Sequence, residues 1–588
     1  MIARIIPALR MPRDVSYDYR IPATCPIPSV GALVRIRVHG RTATGLVVET
    51  FETSLVPAAR LKDIDGVFAD GAPLLTQEAI NLLPRLALHY RVPLPLLLRN
   101  LLPNLPARKA SASTIVGVSA KQAGAEGVFS VVQMRSLFDA AAVRALFEPM
   151  IARGPLLILA PTKQHALWLT ETCADFEPVS YDGSAAVSAG ASAWAALLDG
   201  QHRLLIATRS GVLAPLPPEG SLVLFAEEDA SYQQFDAEPK YDSRVIARAR
   251  CRAEQRPLLA LAEAPSVAMV AYADTRHFIA PEEAPMLVSL ADERRAGFRG
   301  VFSDTAMSEM QEALEEKRDV LVCVNRKGTA LALRCGACFQ TISCPTCGQP
   351  LRVFGRMLSC TRCGTETSVP DHCPACASPQ LRGRGLTIET ATQTLRTLFP
   401  EASLSAPATP ETLRQAKASS ILLGTEMLIH SLRAGVEERS LGAIIVPSVE
   451  QLFGIGYRDS EEGYATLRAL QAIAERHRCA LVLQTYDPTH PVLAALTTDP
   501  TGWYDQLMEE RRTFRYPPTH LWIRLTVPEN ETEEAVREQL CTRIPPFATV
   551  DEVEKNVYSL KFENASELIP EAFATLPASW HWQVNPRT

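Results

Sequence analysis

Several features are absent from this sequence of 588 residues. No glycine is followed by lysine, so the phosphate-binding loop GxxxxGK[ST] of many nucleotide hydrolases is missing. No apolar run is long enough to span a bilayer, because prolines and Arg99 interrupt the most apolar stretch, VPLPLLLRNLLPNLP. The first residues, MIARIIPALRMPRD, place arginine in each short apolar run, unlike a secretion signal. We therefore expect a cytoplasmic protein with no membrane segment.

Charge is modest and unevenly distributed. The net charge is −6, but residues 1–110 contain 14 Lys+Arg against 8 Asp+Glu. The remaining chain has 45 against 57, so a basic amino-terminal part precedes an acidic body. This pattern is typical of electrostatic steering to DNA, although chance also produces it. The length and the 47% hydrophobic content predict three or four domains with cores of their own.

Eight of the 14 cysteines lie in one short segment, as four CxxC pairs. The pairs are Cys335/Cys338, Cys344/Cys347, Cys360/Cys363 and Cys373/Cys376. Two CxxC turns complete a tetrahedral zinc site, whereas disulfides are rare in the cytoplasm and four tandem redox motifs would be unusual. We predict two structural zinc ions, and the loop lengths leave two ways of nesting the pairs open.

Buried-strand patterns alternate with helical segments from about residue 128 onwards. One series comprises PLLILAPT, HRLLIATRS, SLVLFAEED and RPLLALAEAP, and the second comprises DVLVCVNRKG, SSILLGTEML, LGAIIVPSVE and RCALVLQTYDP. The pattern predicts an α/β fold with two similar parallel lobes, the cysteine segment being inserted into the second. A small β-rich domain precedes the lobes and an α+β domain follows them. The expected borders are 1–105, a linker at 106–127, lobe 1 at 128–290, lobe 2 at 291–333 and 378–495, the cysteine insert at 334–377, and 496–588.

The order of these pieces resembles the family of the primosomal replication-restart protein PriA. The matching motifs include SYDYRIP at Ser16–Pro22, ATRS at Ala207–Ser210, EEDASYQQFDAEPKYDSR at Glu227–Arg244, VNRKG at Val324–Gly328, LGTEM at Leu423–Met427 and LQTYDPTHPVL at Leu483–Leu493. The resemblance implies two RecA-like helicase lobes and an amino-terminal domain that binds the 3′ end of DNA. It also implies one nesting of the zinc ligands. One ion would be held by Cys335, Cys338, Cys373 and Cys376, and the other by Cys344, Cys347, Cys360 and Cys363.

The nucleotide-site motifs of the family are degraded in this sequence. Its DEEH box has Ala226 in place of the leading aspartate and Asp229 in place of the histidine, so we expect the remaining acids to form a solvated edge. The arginine box retains only Arg476 and Arg478, without its glycines. The winged-helix domain usual in the family is replaced by the linker. We therefore expect no catalytic residues and no helicase activity.

The resemblance assigns a DNA-end pocket to the first domain. Tyr17 and Asp18 fall at an aromatic–aspartate pair, Gly40 at a position of close backbone approach, and Lys62 at a phosphate-facing lysine. An aromatic ring stacks on a base, and a carboxylate accepts a hydrogen bond from a hydroxyl. The alternative is that Tyr17 and Tyr19 only alternate along a strand.

A second candidate contact is the aromatic-rich loop of the first lobe. It carries Tyr232, Lys240, Tyr241 and Arg244. These residues either stack on and bind single strands or are ordinary surface residues.

The combined features predict a replication-restart factor associated with the nucleoid. It would bind stalled or abandoned forks that have a 3′ end and promote primosome assembly with the proteins that reload the replicative helicase. One alternative is a weak DNA-dependent ATPase or 3′–5′ helicase with a non-standard nucleotide site. The other is a zinc-ribbon adaptor that contacts only proteins.

Overall fold

The computed structural model describes most of the chain. The described residues are 1–105, 127–183, 187–324, 332–338, 340–346, 351–354, 357–360, 365–384, 388–407, 409–424, 426–433, 439–453, 457–543, 549–554, 556–563, 567–577 and 579–586. They fall into two compact units. The first comprises Met1–Val132, Asp139–His277 and Glu510–Pro586, and the second comprises Gln133–Phe138 and Phe278–Glu509.

The chain begins with a six-stranded sheet followed by two helices. The elements are β1 (Ile2–Pro7), β2 (Tyr17–Arg20), β3 (Leu33–Val38), β4 (Arg41–Phe51), β5 (Lys62–Asp63), β6 (Gly66–Val67), α1 (Gln77–His89) and α2 (Leu94–Leu101). The strand order is β5-β2-β1-β4-β3-β6. A two-residue turn joins β3 to β4, with positive φ at both His39 (48°) and Gly40 (79°). Such a turn matches the twist of the paired strands and favours glycine.

A seven-stranded sheet with helices follows in the same unit. Its elements are β7 (Phe129–Gln133), α3 (Ala140–Arg153), β8 (Leu156–Leu159), α4 (Lys163–Thr172), β9 (Val179–Tyr181), α5 (Val187–Trp194), β10 (Leu204–Ala207), β11 (Ser221–Phe225), α6 (Ser243–Ala253), β12 (Leu258–Ala262), α7 (Val267–Tyr272) and β13 (Thr275–His277). The order is β13-β7-β12-β11-β8-β10-β9. The central strands pair in parallel and are almost wholly apolar and buried, as expected for strands covered on both faces.

The second unit contains another parallel sheet and the cysteine-rich segment. Its elements are β14 (Met286–Ser289), α8 (Leu290–Arg295), α9 (Asp304–Glu315), β15 (Asp319–Cys323), β16 (Ala332–Cys335), β17 (Leu351–Phe354), β18 (Met357–Cys360), β19 (Glu366–Ser368), β20 (Leu381–Arg384), α10 (Ile388–Leu398), β21 (Ser403–Ser405), α11 (Pro410–Gln415), β22 (Ser420–Gly424), α12 (Glu426–Arg433), β23 (Leu441–Val446), α13 (Asp459–His477), β24 (Ala480–Thr485) and α14 (Pro491–Ala495). The parallel sheet has the order β14-β24-β23-β15-β22-β21. Between β15 and β21 the chain forms a separate antiparallel sheet, β19-β18-β17-β16-β20, which carries the cysteines.

The last elements form an antiparallel sheet backed by a helix. They are α15 (Thr501–Thr513), β25 (His520–Thr526), α16 (Glu533–Arg543), β26 (Thr549–Glu554), β27 (Val557–Glu563) and β28 (His581–Val584), with the strand order β26-β27-β25-β28. Trp580 and Trp582 belong to its buried core. In the described part of the chain, every helix is too short or too polar to cross a membrane.

The expected α/β architecture is confirmed, with a small β-rich domain first and two parallel sheets after it. One expected border differs from the sheet pairing. We set the first lobe to end at residue 290, but β14 pairs with β24 and so belongs to the second sheet. Only sheet pairing reveals this, because a four-residue strand carries no mark of its partner. The expected linker at 106–127 lies outside the described residues except for Gly127.

Candidate DNA-end site and metal centre

The candidate pocket residues of the first domain lie on β2. Tyr19 is buried in the domain core and donates a hydrogen bond from its hydroxyl to the carbonyl oxygen of Arg37 at 2.9 Å. Tyr17 is half-buried and packs partly against the same core. Because side chains alternate along a strand, Asp18 lies on the other face of β2. A pocket that used both Tyr17 and Asp18 would have to open at the beginning of this strand.

Asp18 lies in a network of charged and polar side chains. Its Oδ1 accepts a hydrogen bond from Arg4 Nε at 3.1 Å, and its Oδ2 accepts one from Ser54 Oγ at 2.5 Å. Arg4 also donates from Nη1 to Glu49 Oε2 at 2.6 Å. The Asp18 side chain is 9% exposed, so the carboxylate is largely covered by these partners. A ligand hydroxyl that reaches Asp18 therefore meets an acceptor that already has protein donors.

Gly40 and Lys62 are both exposed on the first domain. A Cβ atom at Gly40 would meet no atom within 4 Å, so the positive φ of the turn is the local reason for this glycine. Lys62 lies on β5, which pairs in parallel with β2 and places Lys62 opposite Tyr19. The lysine is therefore one strand away from Asp18 and accessible to a phosphate.

The two tyrosines of the loop at 230–242 are not available for base stacking. Tyr232 is fully buried, and its hydroxyl lies 2.5 Å from the carbonyl oxygen of Leu159 and 2.7 Å from that of Phe225. Tyr241 is 1% exposed, and burial raises its pKa to about 12. The sequence analysis predicted that these tyrosines either stack on single strands or are ordinary surface residues, and both predictions are therefore wrong. The rings fill the core because the loop folds back on itself, with a bridge between Gln233 and Asp242.

The two basic residues of the same loop differ from each other. Arg244 donates two hydrogen bonds to the Asp242 carboxylate, from Nε to Oδ1 at 3.0 Å and from Nη2 to Oδ2 at 2.7 Å. Its Nη1 donates to the carbonyl oxygen of Glu227 at 2.8 Å. Arg244 is thus held by internal acceptors and fixes the loop, which contradicts a primary role in DNA binding. Lys240 is exposed.

The degraded acid box is buried rather than solvated. Glu227 is fully buried, and its carboxylate accepts hydrogen bonds from the Ser266 backbone N–H at 2.5 Å and from Ser266 Oγ at 2.9 Å. Burial raises the Glu227 pKa to about 7, while the nearby Arg244 cation lowers it. Our expectation of a solvated acidic edge is therefore wrong for Glu227. The reason is that α7 begins at this strand end, and Ser266, its capping residue, is directed at the carboxylate.

The helix after β7 begins where a phosphate-binding loop would present its N–H groups. Asp139 caps α3 instead, with Oδ1 accepting from the backbone N–H of Ala141 at 3.0 Å and of Ala142 at 3.1 Å. In phosphate-binding loops such N–H groups point at the anion. Here a carboxylate already occupies them and adds negative charge at this helix end.

One residual arginine of the arginine box also has a structural partner. Arg476 donates from Nη1 to the carbonyl oxygen of Arg433 at 2.9 Å and from Nη2 to that of Leu432. Those carbonyls end α12, where the last C=O groups of a helix lack partners within the helix. Arg476 therefore caps a helix of its own unit.

Four cysteines of the antiparallel insert converge on one point. The sulfur atoms of Cys335, Cys338, Cys373 and Cys376 all lie within 4.8 Å of one another. Cys335 Sγ is 3.5 Å from Cys376 Sγ, and Cys338 Sγ is 3.6 Å from Cys373 Sγ. Four thiolates at Zn–S bonds of ~2.3 Å in a tetrahedron would be about 3.8 Å apart, so the donor set fits a metal ion of this kind. These four residues can therefore bind a metal.

The surroundings of Cys335 favour its thiolate form. The backbone N–H groups of Cys338 and Ala337 lie 3.5 and 3.3 Å from Cys335 Sγ. These N–H donors, with that of Cys338 first, and the neighbouring thiols of Cys376 and Cys338 lower the pKa of Cys335. Such outer contacts orient metal ligands.

The second expected set of cysteines is only partly described. Cys344 and Cys360 are buried in one apolar cluster with Ile342, Leu351 and Leu358. Cys347 and Cys363 lie outside the described residues. The second ion thus remains a prediction.

Arg4, Glu49 and Ser54 are neighbours of Asp18 that the sequence did not single out. Arg4 faces Asp18 across β1 and β2, and it faces Glu49 across β1 and β4. Strand pairing would have identified Arg4 once its register was known. Ser54 lies 36 residues from Asp18 in an irregular segment, and no periodic signal marks it.

The comparisons with known proteins agree with this arrangement. Residues 8–103 match the family model described as 3′DNA-binding domain (3′BD) of PriA. Proteins called replication restart protein PriA are similar to the chain. The one from Synechocystis sp. is 27% identical over 60% of this chain and 47% of the relative. The one from Bacillus subtilis is 25% identical over 58% and 45%, and the one from Haemophilus influenzae is 27% identical over 55% and 47%. The chain spans about half the length of these curated relatives.

Solved helicase structures give a weaker likeness. The helicase domain of Pyrococcus furiosus Hef matches with a TM-score of 0.30 at 10% identity, covering 61% of this chain and 92% of that one. S. cerevisiae Dbp5 bound to RNA and ADP BeF3 matches with a TM-score of 0.32 at 11% identity, covering 74% and 97%. Scores this low carry no argument about function.

A match to a 3′DNA-binding domain, two parallel α/β sheets and a cysteine cluster inserted into the second define a multidomain protein of the α/β class. Within that class, the chain is similar to the PriA family: residues 8–103 match its 3′DNA-binding domain, and the relatives named above are called replication restart protein PriA.

Proposed function

We propose that the protein is a replication-restart factor that binds stalled or abandoned forks through their 3′ ends and promotes primosome assembly. The observation that carries the proposal is the match of residues 8–103 to a 3′-DNA-binding domain, on which Asp18 and the exposed Lys62 lie on adjacent strands. A carboxylate can accept a hydrogen bond from a terminal hydroxyl, and an ammonium group can bind a phosphate. Its partners would be the proteins that reload the replicative helicase.

We further propose that the protein acts without unwinding DNA. The sequence has no phosphate-binding loop, Asp139 occupies the N–H groups at the start of α3, and Arg476 caps α12. Positioning of the phosphates and stabilisation of transferred charge account for nearly all catalysis in such enzymes. These features argue against the alternative of a weak ATPase.

The cysteine insert would hold two zinc ions in this proposal. Cys335, Cys338, Cys373 and Cys376 would bind one, and Cys344, Cys347, Cys360 and Cys363 the other. With four protein thiolates on each ion, zinc would stabilise the fold of the insert rather than take part in a reaction.

The decisive experiment compares fork DNA ending in a 3′-hydroxyl with fork DNA ending in a 3′-phosphate. The protein should bind the hydroxyl form more tightly, because a 3′-hydroxyl can donate a hydrogen bond to Asp18, whereas a 3′-phosphate cannot and is repelled by the carboxylate. Asp18→Ala should remove at least tenfold of that preference, on the order of 1.5–3 kcal/mol, with little change in general binding. Lys62→Ala should weaken binding of both forks. It should also reduce the slope of log affinity against log salt concentration by about one, because one phosphate contact is lost. Fluorescence anisotropy at several salt concentrations measures both effects.

The matched control for Asp18 is Asp63→Ala. Asp63 is an exposed acid on β5 whose carboxylate pairs with Arg20 at 2.9 Å. It should leave the preference for a 3′-hydroxyl intact. Equal binding of the two forks by the unmutated protein would contradict end capture by this domain.

A further inference from the structure

The two donors that hold Asp18 differ in how firmly they are fixed. Arg4 lies on β1 and is held from both sides, by Asp18 across β2 and by Glu49 across β4. Its guanidinium also lies 4.9 Å from the centre of the Phe51 ring. Arg4 is therefore a fixed part of the sheet.

Ser54 lies in the irregular segment that follows β4 at Phe51. Apart from its bond to Asp18, its hydroxyl oxygen accepts a hydrogen bond from the backbone N–H of Val56 at 3.0 Å. The neighbouring Leu55 is fully exposed, and Thr53 and Val56 are also exposed. Few contacts thus oppose movement of this segment, and Ser54 is the donor that can leave Asp18.

The serine donor has the same chemistry as the proposed ligand. Both Ser54 Oγ and the 3′-hydroxyl of a nucleotide are neutral alcohols, and each can donate one hydrogen bond to a carboxylate oxygen. The short contact of 2.5 Å to Oδ2 occupies the side of the carboxylate that Arg4 does not cover.

We propose that Ser54 is a specificity-determining residue that occupies the place of the terminal hydroxyl and is exchanged for it when a 3′ end binds. The inference rests on the proposed function, in which Asp18 receives that hydroxyl. In the free protein Ser54 keeps the carboxylate hydrogen-bonded. On binding, one alcohol replaces another, so the bond count at Asp18 is unchanged. A fully ionised 3′-phosphate has no hydroxyl to donate, so it cannot make the exchange.

The exchange predicts that removing the internal competitor strengthens end binding. Ser54→Ala should bind 3′-hydroxyl forks about three- to tenfold more tightly than the parent, the value of one competing hydrogen bond. Its affinity for 3′-phosphate forks should not change. Ser54→Thr keeps a hydroxyl donor at this position, so its affinity for 3′-hydroxyl forks should be close to that of the parent. Thr53→Ala, an exposed neighbour in the same segment, is the matched control and should behave as the parent does.

A second measurement follows the segment in the unmutated protein. Because the Val56 N–H is bonded to Ser54 Oγ, its hydrogen exchange should become faster when a 3′-hydroxyl oligonucleotide binds, and not when a 3′-phosphate oligonucleotide binds. This readout does not depend on how well any variant folds. Unchanged or slower exchange at Val56 with the hydroxyl oligonucleotide would contradict displacement of Ser54.

The results separate the inference from the function on which it rests. If Asp18→Ala abolishes the preference for a 3′-hydroxyl but Ser54→Ala binds like the parent or more weakly, the exchange is wrong and end capture stands. If the parent shows no preference between the two ends, end capture and the exchange are both wrong.

Discussion

Glu227 is a carboxyl group whose environment opposes its charge. It is the first acid after β11, next to Ala226, whose φ of 52° lies in the left-handed region. The backbone and hydroxyl of Ser266 hydrogen-bond to it, but burial dominates and raises its pKa to about 7 from an ordinary value of 4.5. A carboxylate that binds a metal ion would need the opposite environment, one that favours the charged form. Glu227 is therefore part of the buried core at the end of β11.

This environment gives stability a pH dependence of known sign. A folded-state pKa above the unfolded one means that the folded protein holds the proton more tightly. The stabilisation is therefore fully present below pH 4.5 and is lost as the pH rises to about 7. Glu227→Gln removes the titration, so its melting temperature relative to the parent should rise between pH 4.5 and pH 7.5. The difference corresponds to roughly 3 kcal/mol at most, since one pKa unit is worth about 1.4 kcal/mol.

Scanning calorimetry across this pH range tests the prediction. The control is Asp236→Asn, which changes an acid with an 82% exposed side chain in the same loop. The difference between its melting temperature and that of the parent should be the same at every pH. A constant difference between Glu227→Gln and the parent at all pH values would show that Glu227 titrates normally.

At the scale of elements, the antiparallel insert brings together cysteines that are far apart in the chain. β16 pairs with β20, placing Cys335 opposite Leu381 and bringing the first CxxC turn near the last. The first and last CxxC pairs therefore lie together, which is the arrangement that the family resemblance implies. The sheet thus decides which thiolates can share an ion.

Metal content provides the test at this scale. The purified protein should contain two zinc ions, and Cys338→Ser should contain one, because three thiolates bind a structural ion far more weakly than four. Cys541→Ser, which changes an exposed cysteine of α16 outside the insert, should still contain two. Atomic emission spectroscopy after extensive dialysis gives the count. Retention of two ions by Cys338→Ser would exclude the proposed ligand set.

At the scale of the whole molecule, the first unit is assembled from three distant stretches of the chain. Arg91, just after α1, donates to the carbonyl oxygens of Pro577 at 2.7 Å and Trp580 at 3.1 Å, and its guanidinium lies 4.1 Å from the centre of the Trp582 ring. Arg248 of α6 pairs with Glu567. The amino-terminal domain, the first parallel sheet and the last sheet therefore form one body.

Thr76 and His89 add two buried polar contacts to this body. Thr76 Oγ1 donates to Glu254 Oε1 at 2.7 Å, and the Ile569 N–H donates to His89 Nδ1 at 3.2 Å. Burial lowers the His89 pKa to about 4, which keeps the ring neutral and able to accept. Helix α1 thus contacts both the first parallel sheet region and the last domain.

The loss of nucleotide chemistry is a prediction for the whole chain. Calorimetric titration with ATP and magnesium should give no binding heat, and hydrolysis should stay at background with or without fork DNA. The reason is that loop, acid box and arginine box are altered together, and each would otherwise stabilise transferred charge. A DNA-stimulated rate that disappears in Glu227→Gln would contradict this prediction, because it would show that the buried acid supports catalysis.

Features that depend on a local pattern could be predicted from the amino-acid sequence. Apolar runs of four or five residues between helical segments predicted the parallel strands, since strands buried on both faces need no polar positions. The CxxC spacing predicted a cysteine cluster that can bind a metal, because two thiols three residues apart can meet one ion. The missing Gly-Lys pair predicted the absence of a phosphate-binding loop.

The environments of individual side chains could be seen only once the chain was folded. Tyr232 and Tyr241 were predicted to be accessible loop residues but lie in the core. Glu227 was predicted to be a solvated acid but is buried and hydrogen-bonded to Ser266. Asp18 received its partner Ser54 from a segment 36 residues away. The burial and the hydrogen-bond partners of a side chain depend on contacts between distant parts of the chain. Hydrophobic periodicity and motif spacing do not show which distant residues make those contacts.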